Sequence, residues 1–206
     1  MYKKRITKTK IAPNKPIKEQ PEEKKEEIEL LKYEIDVDQI LLHQRNVFLT
    51  GEINEAKAHS INQKLLALSI IDKRPIAMWI NSRGGSISDG FAIIDMMRGL
   101  SCPVFTFING SAFSMGALIS IAGHRRIITI NSKWMIHDGF GGICDYFKKW
   151  KDRANHMKDL DRKITRHVKK YTNLTDEEIE YAKKGELWLK PTQCKKKGVV
   201  DLIARV

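Results

Sequence analysis

Apolar positions are grouped along this chain in two alternating rhythms. Short runs such as Asn46–Thr50 (NVFLT), Pro75–Ile80 (PIAMWI) and Pro103–Ile108 (PVFTFI) are β-branched or aromatic and bounded by glycine or polar residues. Each predicts a strand. Between them apolar residues recur three or four apart, as in Ala58, Ile61, Leu65 and Leu68, or Phe91, Ile94 and Met97. That spacing predicts helices over Ile53–Ile71, Gly90–Leu100 and Phe113–Ala122. Turns are expected at NSRGGS, after the second strand, and around Gly110. Arg126–Ile130 and Trp134–Ile136 predict further short strands. Strand–helix alternation of this kind argues for an α/β core with parallel strands and right-handed crossovers.

The rhythm changes after Asp145. A helix is expected from there to Tyr171, with Tyr146, Trp150, Ala154, Met157, Leu160 and Ile164 forming a narrow stripe on a basic surface. So thin a stripe suits a partner subunit or the domain edge better than a core. Thr175–Lys184 predicts a helix with acids in its first turn and lysines in its last. A strand follows at Glu186–Leu189. Pro191 opens a last helix, Gly198 closes it, and VVDLI predicts a final strand. Residues 1–30 are rich in Lys, Glu and Pro, and predict a basic, disordered arm ahead of a folded domain over 31–206.

Composition narrows the options. The 206 residues suffice for one domain plus a tail. No apolar run approaches the roughly 20 residues needed to span a bilayer, and no secretory signal is expected. Three widely spaced cysteines, Cys102, Cys144 and Cys194, suggest neither a disulfide framework nor a metal site. They fit a reducing compartment, cytoplasmic or an organelle stroma. No cofactor is implied. The net charge of +12 reads as a solvated basic surface, because no base-reading motif accompanies it.

Three segments carry candidate chemistry. In GSAFSMGALIS, Ser114 falls at the start of a helix after a strand. A helix N-terminus offers unpaired N–H groups to an oxyanion, here that of Met115; the ordinary alternative is an N-cap serine. In INSRGGSISDG, two glycines follow a strand and can line an anion or a peptide backbone. In WMIHDGFGG, His137 ends a strand beside a glycine-rich loop and suits a general base. The other five histidines, His43, His59, His124, His156 and His167, read as surface or partner-facing.

In this order and with these local sequences, the segments resemble the Clp protease proteolytic subunit family, over about Tyr33 to Val206. RNVFLTGEI and GVVDLI add support. The resemblance implies a crotonase-like ββα spiral with a protruding handle helix, about residues 143–172. It implies a serine endopeptidase that cleaves unfolded polypeptides inside stacked homo-oligomeric rings. Ser114 matches the nucleophile, His137 the base, and the N–H groups of Gly85 and Met115 the oxyanion hole. Gly85, Ser86 and Ile87, with Phe140, Gly141 and Gly142, match the strands that hold substrate. Glu186 stands where the family's third triad residue, an aspartate, is expected; Asp161 and Asp176 are further candidates, and Asp138 adjoins His137 too closely.

Several positions depart from the family pattern. Arg83 stands for proline, Asp138-Gly139 for Gln-Pro, and Phe113 for alanine; Phe113 is expected to pack in the core. KKGELW lacks the charged pair that flanks the third triad residue. Of Ala77, Trp79 and Gly99, only Trp79 retains the aromatic character of the surface that docks an ATP-driven unfoldase. Two other readings are a catalytically impaired subunit of a mixed ring and a crotonase-type acyl-CoA enzyme. A membrane role and nucleic-acid binding are not expected.

Overall fold

The alternating burial of three adjacent strands builds the core. The computed structural model describes residues 36–139 and 149–205; the expected arm and Phe140, Gly141, Gly142 and Cys144 lie outside them. A first helix, α1 (Val37–His43), leads into β1 (Asn46–Ile53), α2 (Glu55–Ile71), β2 (Ile76–Gly85), α3 (Ile87–Gly99), β3 (Val104–Phe113) and α4 (Met115–Ile121). Then come β4 (Arg125–Thr129), β5 (Lys133–His137), α5 (Trp150–Tyr171), α6 (Asp176–Lys184), β6 (Glu186–Leu189), α7 (Pro191–Lys196) and β7 (Leu202–Ala204). This is the expected α/β architecture, strands alternating with helices around one sheet. Strand order is β1-β2-β3-β4-β7, all parallel, with β5 pairing β3 and β6.

Every second residue of β2 (Ile76, Met78, Ile80) and of β3 (Val104, Thr106, Ile108) is buried. Helices α2 and α3 cover that face with Ile61, Leu65, Ile93 and Met97, all at most 1% exposed. The opposite face carries an aromatic row. Phe48 stacks on Trp79 at 6.3 Å, and Trp79 on Phe107 at 4.7 Å, because the register sets those three residues side by side.

Two of the expected turns are strand. The segment NSRGG continues β2 to Gly85, held by Thr50↔Asn81 and Ile53↔Gly85 on one side and Ser82↔Ala112 on the other. Likewise β3 runs through Gly110 to Phe113. Glycine signals a break in a single strand, but lateral pairing on both edges overrides it here. The extension of β3 divides its labour: Phe105–Ile108 pair with β4, and Ser111–Phe113 with β5.

The long helix is also not a purely partner-facing element. Residues 151–159 are exposed, but Val168 is buried and Ile164 and Tyr171 pack on the core. His167, expected at the surface, is 9% exposed. It hydrogen bonds the Leu118 carbonyl at 2.9 Å and stands edge-on to Phe91. Burial pushes its pKa down, and nearby Lys170 and Lys163 push the same way. Phe113 is half-buried against Trp188 in a T-shaped contact at 4.9 Å.

The C-terminal end is tied down by Arg126. Its guanidinium donates to both Asp201 oxygens and to the carbonyls of Tyr171 and Gly198. The Asp201 carboxyl is partly buried, which opposes ionisation. The Arg126 hydrogen bonds outweigh that and hold its pKa low. Thr175 caps α6 in a reciprocal capping box with Glu178.

Candidate active site

Ser114 sits in a backbone conformation that L-residues avoid, with φ 52° and ψ −122°. Such geometry costs about 1–3 kcal/mol and persists only where the surroundings enforce it. They do so at both ends of the residue. Its N–H donates to the Met135 carbonyl at 2.9 Å, and its carbonyl accepts from the Ala117 and Leu118 N–H groups. The hydroxyl makes no capping hydrogen bond to α4, so Ser114 is not the ordinary N-cap serine. Below it lies Gly84, with φ 102°, where a Cβ would stand 2.8 Å from Ser114 Cβ and 3.0 Å from the Met115 nitrogen. The pair pattern in the sequence offered both glycines, and the family resemblance assigned the oxyanion hole to Gly85. The contact with Ser114 belongs to Gly84.

Gly85 has a different constraint. A Cβ there would strike the Ile53 carbonyl oxygen at 2.1 Å. That carbonyl accepts from Ser86 N–H at 2.8 Å. Gly85 closes the β1–β2 ladder opposite Ile53. The Gly84 N–H is occupied by Ser82 Oγ at 3.1 Å. Met115 opens α4, where an N–H has no preceding carbonyl of its own helix to bond. Ser86 caps α3 through Asp89 N–H, and Ile87 begins that helix.

His137 ends β5, half-buried, two residues past the strand position that holds Ser114 N–H. Ser114 and His137 line one pocket together with Ile87, Met115 and Gly139. They also border a wider cleft with Arg83, Gly85 and Ser86. Among the described residues no side-chain hydrogen bond joins Ser114 to His137 or His137 to Glu186. Glu186 stands directly opposite His137 in the β5–β6 ladder, exposed, with its Oε2 accepting from the Trp188 indole N–H at 2.8 Å.

The remaining acids divide clearly. Asp138 is exposed and accepts from Gly139 N–H. Asp176 is paired with Lys169 on the surface. Asp161 lines the pocket of Ser114 and His137 and accepts from Lys183 at 3.2 Å. Thr165 and Lys183, in the same lining, escaped the sequence reading. For Thr165 a signal was present, since Asp161, Thr165 and Val168 follow one another at helical spacing; Lys183, on α6, had none.

Ser114, at a strained strand–helix junction, and His137, at the end of the neighbouring strand, thus line one pocket of a mixed α/β fold. The sequence profile of the Clp protease family matches residues 29–206. The chain belongs to that family, whose members are serine-type peptidases. The ATP-dependent Clp protease proteolytic subunit 1 of Rhodopirellula baltica is 34% identical to it over 165 residues, covering 79% of this chain and 73% of that protein. No helix among the described residues is long and apolar enough to cross a membrane.

Proposed function

We propose that this chain is a serine endopeptidase in which Ser114 attacks the scissile carbonyl and His137 accepts its proton. The strained Ser114 backbone carries the reading, because strain of this kind serves to present a side chain that no structural bond then uses. As the Ser114 Oγ–carbon bond forms, the carbonyl oxygen takes up negative charge between the N–H groups of Gly85 and Met115. Collapse breaks the carbon–nitrogen bond, and the imidazolium returns its proton to the leaving amine. Water, deprotonated by His137, then releases the acyl group and restores Ser114. Gly85, Ser86 and Ile87, at the junction of β2 and α3, meet the substrate backbone on one side; Phe140, Gly141 and Gly142, which the family resemblance sets on the other, lie outside the described residues.

The exposed first half of α5 supports assembly into stacked rings, as the handle of this family implies. The relative's name, an ATP-dependent proteolytic subunit, supports an unfoldase partner. So does the Phe48–Trp79–Phe107 row, which restores aromatic surface that Ala77 and Gly99 lack. A reducing compartment such as the cytoplasm fits the buried free thiols of Cys102 and Cys194.

One observation favours a second reading, an impaired subunit of a mixed ring: Glu186 is bonded to Trp188 rather than to His137. Labelling with a small fluorophosphonate separates the two. Assembled wild type is expected to be labelled, and Ser114→Ala and His137→Ala are expected not to be. Absence of labelling in assembled, folded wild type would give the impaired subunit the lead.

A further inference from the structure

The aromatic face of the sheet continues past the Phe48–Trp79–Phe107 row. Pairing register extends that row through Ile127 to Leu202. Phe48 and Leu202, toward its two ends, are each 41% exposed. Phe105 lies two residues before Phe107, so it projects to the same face about 7 Å away. Arg125 is its partner on β4. Beyond that pair the surface opens into a groove of about 580 Å³, at the opposite end of β3 from Ser114.

The charge of this groove is one-sided. Arg98, Arg125, Arg126 and Lys170 line it against one carboxylate, that of Asp201. Arg126 already holds both oxygens of that carboxylate. Arg98 and Lys170 stand in the last turns of α3 and α5, where the negative end of a helix favours cations, and both lie over the Tyr171 ring. Arg125 has no such internal reason. It is exposed at the start of β4, and among the described residues no acid pairs with its guanidinium. The groove falls within the roughly 300–1,000 Å³ of sites that take a whole ligand, and it is far larger than one small anion needs. Because Phe105 joins it to the aromatic row, a ligand lying on that row meets Arg125 next. Opposite charge there fixes the register of a partner, and like charge repels it.

We infer that the aromatic row and the basic groove form one docking surface, whose occupant is a polypeptide segment with an apolar anchor and carboxylate side chains beside it. The anchor covers Phe48, Trp79 and Phe107, and the carboxylates pair with Arg125, Arg98 and Lys170. This inference rests on the reading of the aromatic row as a partner surface, and it adds the charge that the partner's segment carries.

The test is fluorescence anisotropy of labelled peptides on the assembled protein, a readout that needs no peptidase activity. Three peptides of equal length share a Leu-Phe centre, flanked by glutamate, glutamine or lysine. The glutamate peptide is expected to bind about tenfold tighter than the glutamine peptide at low salt, the effect of about two or three surface ion pairs. The advantage should shrink as salt screens it. Arg125→Gln should reduce it, and Arg125→Glu should pass it to the lysine peptide. Phe48→Ala, at an exposed position, should weaken all three. Equal binding of the glutamate and glutamine peptides, both weakened by Phe48→Ala, overturns the inference and leaves the aromatic row as a partner surface. A glutamate preference that survives Arg125→Glu overturns it as well. Binding of none of the peptides overturns both readings. A single-stranded RNA oligonucleotide that binds through Arg125, displaces the glutamate peptide and ignores Phe48→Ala would replace the acidic segment with a nucleic acid.

Discussion

His137 and Glu186 face each other across the antiparallel β5–β6 ladder, yet the Glu186 carboxylate accepts its hydrogen bond from Trp188. Directly opposed residues have Cβ atoms about 4.5–5.5 Å apart. A side-chain rotation is therefore enough to bring the carboxylate to the imidazole, without any change of strand register. Trp188 competes for the acid that would orient the base.

That competition gives the first prediction. Trp188→Phe keeps the ring against Phe113 but removes the indole donor, so the Ser114 labelling rate is expected to rise. Glu186→Gln should lower it by about a hundredfold, since a neutral amide cannot stabilise an imidazolium as a carboxylate does. Both effects are read as second-order labelling rates of assembled protein. Equal rates in wild type and Glu186→Gln would remove Glu186 from the site.

Gly84→Ala should abolish labelling with only moderate loss of stability. The new Cβ would stand 2.8 Å from Ser114 Cβ at a φ of 102°, so the serine must move or the strand must shift. The cost is expected at about 1–3 kcal/mol, a few degrees in thermal midpoint. Retention of the wild-type labelling rate would show that the Ser114 backbone need not stay as it is.

His167 makes stability depend on pH. Its folded pKa is lowered, chiefly by burial, so the unfolded chain binds the proton more readily. Stability from this group is complete above the unfolded value of about 6.5 and is lost as pH falls toward the folded value. Thermal midpoints between pH 8 and pH 5.5 should decline in wild type and decline less in His167→Gln. Identical declines would locate the titrating group elsewhere.

Arg126→Met should destabilise by about 2 kcal/mol or more, because the substitution strands the Tyr171 and Gly198 carbonyls and the Asp201 carboxylate together. Denaturant unfolding measures it. The Asp201 part has the same sign as His167's but lies at lower pH: it is present above the unfolded carboxylate value near 3.9 and lost as pH falls through the lower folded one. A midpoint unchanged by the substitution would make the clamp redundant.

The sequence carried the elements of the core because Ala58, Ile61, Leu65 and Leu68 keep strict helical spacing, and PIAMWI and PVFTFI are short apolar runs bounded by polar residues. The distinctive neighbours of Ser114 and His137 marked both residues in the sequence, and the structure brings them to one pocket. The ends of β2 and β3 were hidden, since glycine favours a turn unless neighbouring strands claim it from both sides, and that claim is non-local. His167 was misread for a related reason: among Arg166, Lys169 and Lys170 it looks solvated, and only the docking of α5 against Leu118 and Phe91 buries it. The aromatic row needed register, which no single strand states. Lys183 lies on a separate helix from Thr165, and only the docking of the two helices brings both to one pocket.

Strand β3 leans on β4 over its first half and on β5 over its last three residues. Ser114 follows the second part, whose outer neighbour is the short β6. Ser114 is thus braced by β5 and its short neighbour β6 on one side and by the end of β2 on the other. A ligand or neighbouring subunit that grips β6 can tune the alignment of Ser114 and His137 while the Val104–Ile108 trunk stays still. Activity and global stability become separately adjustable properties of one strand.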